Sequence, residues 1–163
     1  MRILIATDGS EFSQAAVERA CELIRDPNDT EIKLVSVFRT PTIATEPFLA
    51  APDYYQGVSE SLEALAESYV DKARKTIEKS LPNAVVTNQV VMGSPAQMIV
   101  EIAEESDAEM IVIGSHGRGF WSRSLLGSVS DAVVHHAPCS VLVVRSTGPE
   151  KSVERSQGNE ESR

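Results

Sequence analysis

The residues best placed to do chemistry are Gly114-Ser115-His116-Gly117 and, beyond nine intervening residues, Gly127-Ser128. Glycine at 114 and 117 lets the backbone come close to a ligand, and Gly127 allows a turn into a following helix. Ser128 to His136 can form that helix. Its N-terminus would offer unpaired N–H groups and the positive end of the macrodipole to an anion. Ser128 adds a hydroxyl, and with Asp131 three places on it fits a capping box. The chemistry such a loop serves is the cradling of a phosphate; the alternative is a surface loop whose glycines only make turns. No Lys follows Gly127, so this is not the lysine-bearing loop of P-loop enzymes. No Gly-x-Gly-x-x-Gly follows the first apolar run either, which sets aside the usual dinucleotide fingerprint.

Other reactive side chains lead to less. His116 has the look of a general base, but no nucleophile or carboxylate close in sequence completes a catalytic set. It reads as a turn residue with its ring partly exposed. His135 and His136 end a helix, where imidazoles meet the last carbonyls. With three histidines and no Cys/His cluster, a metal site made of protein ligands alone is not expected. Cys21 and Cys139 lie far apart without a Cys-x-x-Cys and read as buried thiols in a reducing cytoplasm.

The elements that must hold the loop follow from periodicity. Met110 to Ile113 is a short β-branched run of the kind buried on both faces of a parallel sheet, and Ser140 to Val144 is a second. Arg2 to Ala6 is the first strand, apolar and therefore central. Ser10 caps a helix from Glu11 to Arg25 whose stripe is Phe12, Ala15, Ala16, Ala20, Leu23 and Ile24. Ile32 to Phe38 is the second strand. Arg39 to Gly57, with three prolines, reads as a long loop leaving a strand end, suited to covering a ligand, contacting a subunit or forming a surface excursion. Val58 to Ser80 is a helix with Leu62, Leu65, Ala66, Tyr69, Val70, Ala73 and Ile77 on one face, and Ala84 to Met92 the third strand. Ser94, Pro95 and Gln97 make a strong helix start, with Ile99, Ile102 and Ala103 turned inward. Strands alternating with helices predict one α/β domain, a doubly wound five-stranded parallel sheet with helices on both faces.

Composition narrows the function classes. The chain has 163 residues, enough for a single core without disulfides or metals. Its net charge of −9 argues against nucleic acid or anionic membrane as a partner, whereas one nucleotide needs only local donors. Met1-Arg2 runs straight into a strand, with no signal-peptide pattern and no apolar run of membrane-spanning length, which fits a cytoplasmic protein. Residues 147–163 are polar, with Val153 the one aliphatic side chain, and read as a disordered tail to a domain at 1–146.

The glycine motif, together with Ile3-Leu4-Ile5-Ala6-Thr7-Asp8-Gly9-Ser10 at the start and Ala137-Pro138-Cys139-Ser140-Val141-Leu142-Val143-Val144 at the end, resembles the ATP-binding branch of the universal stress protein family. Where that family commonly has proline, this chain has Ser140. The resemblance implies strand order 3-2-1-4-5, which puts the reversal of winding between strands one and four, where ligands of open α/β sheets bind. It implies that Asp8 holds a ribose, the alternative being that it only supports the start of the first helix, and that Ala6, Thr7 and Val37 border an adenine. It also implies that Gly114, Gly117, Gly127, Ser128, Val129 and Ser130 bind the phosphates through backbone N–H groups and the two hydroxyls, with Ile113 and Ser115 beside them in the cofactor site. By their position in the loop, Arg118 and Arg123 could neutralise phosphate charge, the alternative being that they are solvated loop arginines; Asp131 places opposing charge nearby. The implied cofactor is ATP, or ADP or AMP, with magnesium riding on the phosphates. A homodimer through Ser140 to Arg145 is implied as well. The expected function is a nucleotide-binding stress or signalling protein, the nucleotide acting as a structural or regulatory ligand. A slow ATPase and a nucleotide-free interaction module are the alternatives. The superfamily's adenylyl-transfer signatures are missing: Thr7-Asp8-Gly9-Ser10 is only a distant echo of one.

Overall fold

The computed structural model describes residues 1–40, 52–117 and 126–146. The Arg118 and Arg123 cations, the aromatic pair Phe120 and Trp121, and the 147–163 tail lie outside them. Five parallel strands, β1 (Arg2–Ala6), β2 (Glu31–Phe38), β3 (Val85–Met92), β4 (Met110–Gly114) and β5 (Ser140–Val144), form one sheet in the order β3-β2-β1-β4-β5. The order expected from the resemblance is therefore the observed one. Helices α1 (Glu11–Leu23), α2 (Pro52–Ser80), α3 (Pro95–Glu105) and α4 (Ser128–His136) fill the crossovers.

Alternation along the strands divides the core in two. Ile3 and Ile5 of β1, with Ile32, Leu34 and Val112, pack with Ala16, Val17 and Ala20 of α1 and Val70, Ala73 and Ile77 of α2. Leu4 and Ala6, with Val35, Ile111 and Ile113, pack with Ile99, Ile102 and Ala103 of α3 and Val133 of α4. A strand covered on both faces has no polar side, which is why β1 and β4 read as unbroken apolar runs. Cys21 belongs to the first layer and Cys139 to the second, so the sheet itself separates the two free thiols.

Several local expectations need correction. α2 begins at Pro52, so the loop expected to reach Gly57 is shorter, and its residues 41–51 lie outside the described ones. Pro at a first turn is a start signal, but Gly57 reads as a breaker. A side chain there would meet open space, so no packing contact requires the glycine. In α1 the buried stripe is Ser13, Ala16, Val17 and Ala20, continued by Ile24 just past the helix end; Leu23 is 52% exposed. The spacing i, i+3, i+4, i+7 selects Val17 over the bulkier Leu23. Ser94 makes no capping bond; Arg39 Nη2 donates to its hydroxyl at 2.8 Å instead. The capping box from Ser128 is also not formed, because Gly127 is the N-cap and Ser128 already lies inside α4.

Candidate functional site

The carboxyl ends of β1 and β4 meet at the reversal in winding, where neighbouring crossovers leave on opposite faces. A cleft opens there. From β1 and its turn come Ala6, Thr7 and Asp8, from α1 Ser13, and from β2 Val35 and Val37. Pro95 and Ile99 of α3 close one side. Ile113, Gly114, His116 and Gly117 follow β4, and Gly127, Ser128, Val129 and Ser130 open α4. Of the thirteen residues expected at the site, eleven line this cleft. Ser115 is buried and does not line it, and Arg118 is outside the described residues.

The Thr7–Ser10 turn is closed by its own hydrogen bonds. Gly9 N–H donates to Thr7 Oγ1 at 3.3 Å, and the Thr7 hydroxyl donates to Ser13 Oγ at 3.2 Å. Ser10 caps α1 as expected, accepting from Ser13 N–H at 3.2 Å. The Ser10 hydroxyl and N–H both donate to Oδ1 of Asp8, at 2.6 and 3.0 Å. Asp8 therefore supports the start of α1 with one oxygen only. Oδ2 receives no hydrogen bond among the described residues and points across the cleft, 2.8 Å from where a Cβ of Gly117 would stand. A side chain at 117 would fill the space in front of the carboxylate.

The loop between β4 and α4 is tied back by Ser115. Its N–H donates to Val144 C=O at 2.7 Å, extending the β4–β5 ladder, and its carbonyl accepts from Gly127 N–H at 2.8 Å. The Ser130 hydroxyl lies 2.9 Å from both the Ser115 and Gly127 carbonyls and is shared between them. The expectation that both Ser128 and Ser130 present hydroxyls to a phosphate is thus revised: the proton of buried Ser130 is committed to the loop, and Ser128 is the exposed one. The first bond of α4 runs from Asp131 N–H to Gly127 C=O at 2.9 Å. The N–H groups of Ser128, Val129 and Ser130 precede it and have no acceptor within the helix.

Gly114 has a packing role besides its place in the cleft lining. A Cβ there would come within 2.7–2.9 Å of the backbone of Phe12 and Ser13, so its bareness admits helix α1. His116 is half-buried, its Nδ1 3.1 Å from Ser115 Oγ and its ring tilted against Phe12 with centroids 5.3 Å apart. At the far end of α4, His135 and His136 set Nδ1 2.8 Å from the carbonyls of Asp131 and Ala132. Sequence reasoning overlooked Ser13, Val35 and Pro95 as lining residues, and it placed Ile99 only in the core. Their shared signal was position at the carboxyl edge of the sheet.

A sequence model of the universal stress protein family matches residues 1–145. The universal stress protein MJ0531 of Methanocaldococcus jannaschii is 32% identical over 146 residues, covering 88% of this chain and 81% of its own. The chain belongs to the universal stress protein family. Solved structures agree on the fold. Hypothetical protein MJ0577 superposes with a TM-score of 0.75 at 26% identity, over 90% of this chain and 96% of its own. Two more distant chains share the fold: a universal stress protein in complex with cAMP, and one from Arabidopsis thaliana with AMP bound. Their TM-scores are 0.61 and 0.58 at 22% and 19% identity. The first covers 89% of this chain and 96% of its own, the second 94% and 97%. In this universal stress protein no helix among the described residues is long and apolar enough to cross a membrane.

Proposed function

We propose that the cleft binds an adenine nucleotide, with ATP as the ligand and the protein acting through it in a stress response. The observation that carries this reading is the opposition of Asp8 Oδ2, which receives no hydrogen bond among the described residues, to the bare backbone of Gly117. A carboxylate so placed accepts hydrogen bonds from the vicinal hydroxyls of a ribose. The N–H groups opening α4, with the Ser128 hydroxyl, face the phosphates. Val37, Pro95 and Ile99 supply an apolar wall for the base. The complexes of two family proteins with cAMP and AMP support the capacity of this fold for such ligands. Magnesium would be held by the phosphates.

The nucleotide is proposed as a structural or regulatory ligand, because binding that differs between two loop states shifts their populations. The functional unit is proposed to be a homodimer in the cytoplasm. Strand β5 is an edge of the sheet with half-buried Val141, Leu142, Val143 and Val144, and apolar edges need a cover.

The test is calorimetric titration with ATP, beside mass spectrometry of small molecules released on denaturation. Wild type should bind ATP or release an adenine nucleotide. A Gly127→Val variant, whose side chain would press on the Ser115 carbonyl 3.2 Å from its Cβ, should do neither while remaining folded. A wild type that is empty and does not bind added ATP refutes the proposal and leaves the interaction module.

A further inference from the structure

Gly9 is the one glycine of the described residues with a left-handed backbone, at φ +74°. A Cβ built on it would collide with the ring of Tyr69, from the middle of α2. The ring thus packs against the bare side of the turn that carries Asp8. Tyr69 is braced in place: it is half-buried, its hydroxyl is buried, and its helix is anchored by buried Ala66, Val70 and Ala73.

Glycine populates left- and right-handed backbone about equally, so Gly9 by itself does not hold its conformation. The Asp8 carboxylate is fastened through Oδ1 to Ser10, the residue after Gly9. A change of φ at Gly9 would swing Ser10 and the carboxylate with it. A rigid ring filling the space beside Gly9 removes the room for that swing.

We propose that Tyr69 is a positioning residue, its ring fixing the Gly9 turn so that Oδ2 of Asp8 faces the ribose subsite. The inference rests on the nucleotide reading of the cleft. It also ties the cleft to α2, none of whose described residues lines it.

The test compares ATP with 2′,3′-dideoxy-ATP, which lacks the hydroxyls Asp8 would hold, by calorimetry on the full chain. Wild type should prefer ATP by about tenfold or more, the size of a hydrogen bond to a charged group. Asp8→Ala and Tyr69→Ala should each bring the ratio near one, Tyr69→Ala with affinity for the dideoxy compound unchanged, and Tyr69→Phe should keep the preference. Loss of affinity for both nucleotides alike in Tyr69→Ala overturns the inference in favour of a general structural role. So does a wild-type ratio in Tyr69→Ala beside a lost one in Asp8→Ala. Should Tyr69→Ala not fold, Tyr69→Leu, which keeps an apolar side chain on α2 but no rigid ring beside Gly9, answers the same question; a retained preference there refutes the inference. A wild type that binds neither nucleotide refutes the cleft reading itself, and a wild type that binds both equally refutes the ribose role of Asp8.

Discussion

The place a side chain would occupy at Gly114 is taken by the backbone of Phe12, whose carbonyl carbon lies 2.7 Å from the ideal Cβ position. Strand β4 and the first turn of α1 are therefore in direct backbone contact beneath the cleft. Because the obstructing atoms are main chain, they cannot rotate away as a side-chain tip would. Gly114→Ala should cost about 1–3 kcal/mol by overpacking. Urea denaturation checks it, and an unchanged midpoint would show that α1 slides aside without cost.

Two serines at the start of α4 should separate by role. Ser130→Ala removes a buried hydroxyl shared by two carbonyls, which should cost about 1 kcal/mol of stability. Ser128→Ala removes an exposed hydroxyl and should leave stability within about 0.5 kcal/mol while weakening ATP binding. Paired denaturation and calorimetric titrations on both variants would reverse the assignment if Ser128→Ala proved the destabilising change.

Burial raises the thiol of Cys21, against a smaller lowering by its hydrogen bond with Ser80, and burial likewise raises that of Cys139. Both should resist alkylation at neutral pH in the folded protein and react once it is unfolded. A group whose folded value is raised binds its proton more tightly when folded. Its contribution is complete below the ordinary thiol value of 9.0 and is lost as pH rises through the folded value. Replacing both cysteines with alanine should flatten the loss of stability above that value, measured by denaturation across a pH series.

The proposed dimer makes a claim about single atoms of β5. Val144 C=O accepts from Ser115 N–H, so Val144 turns its polar groups toward β4. Polar groups alternate sides along a parallel strand, so Val143 turns its own to the open edge. Val143→Pro removes a donor from the edge but none from the β4–β5 ladder, and proline is tolerated on edge strands. Sedimentation should show wild-type dimers and variant monomers; monomeric wild type would refute the dimer.

Much of this molecule is legible along the chain. The apolar runs at Arg2–Ala6 and Met110–Gly114, the alternation of strands and helices, and the glycine spacing at 114, 117 and 127 depend on local periodicity and backbone freedom, which sequence carries directly. The family and its sheet order followed from those same segments. Tertiary structure alone decided what each feature faces. Ser128 to His136 reads as the helix and is the helix, but Ser128 also reads as its cap, and Gly127, its N–H bonded to the Ser115 carbonyl, holds that position instead. Gly114 looked like ligand clearance and also clears helix α1, and only packing shows that the turn at Gly9 lies against Tyr69 of α2. Glycine's lack of a side chain shows that space is needed without showing what fills it. That depends on residues distant in sequence, brought close only by packing.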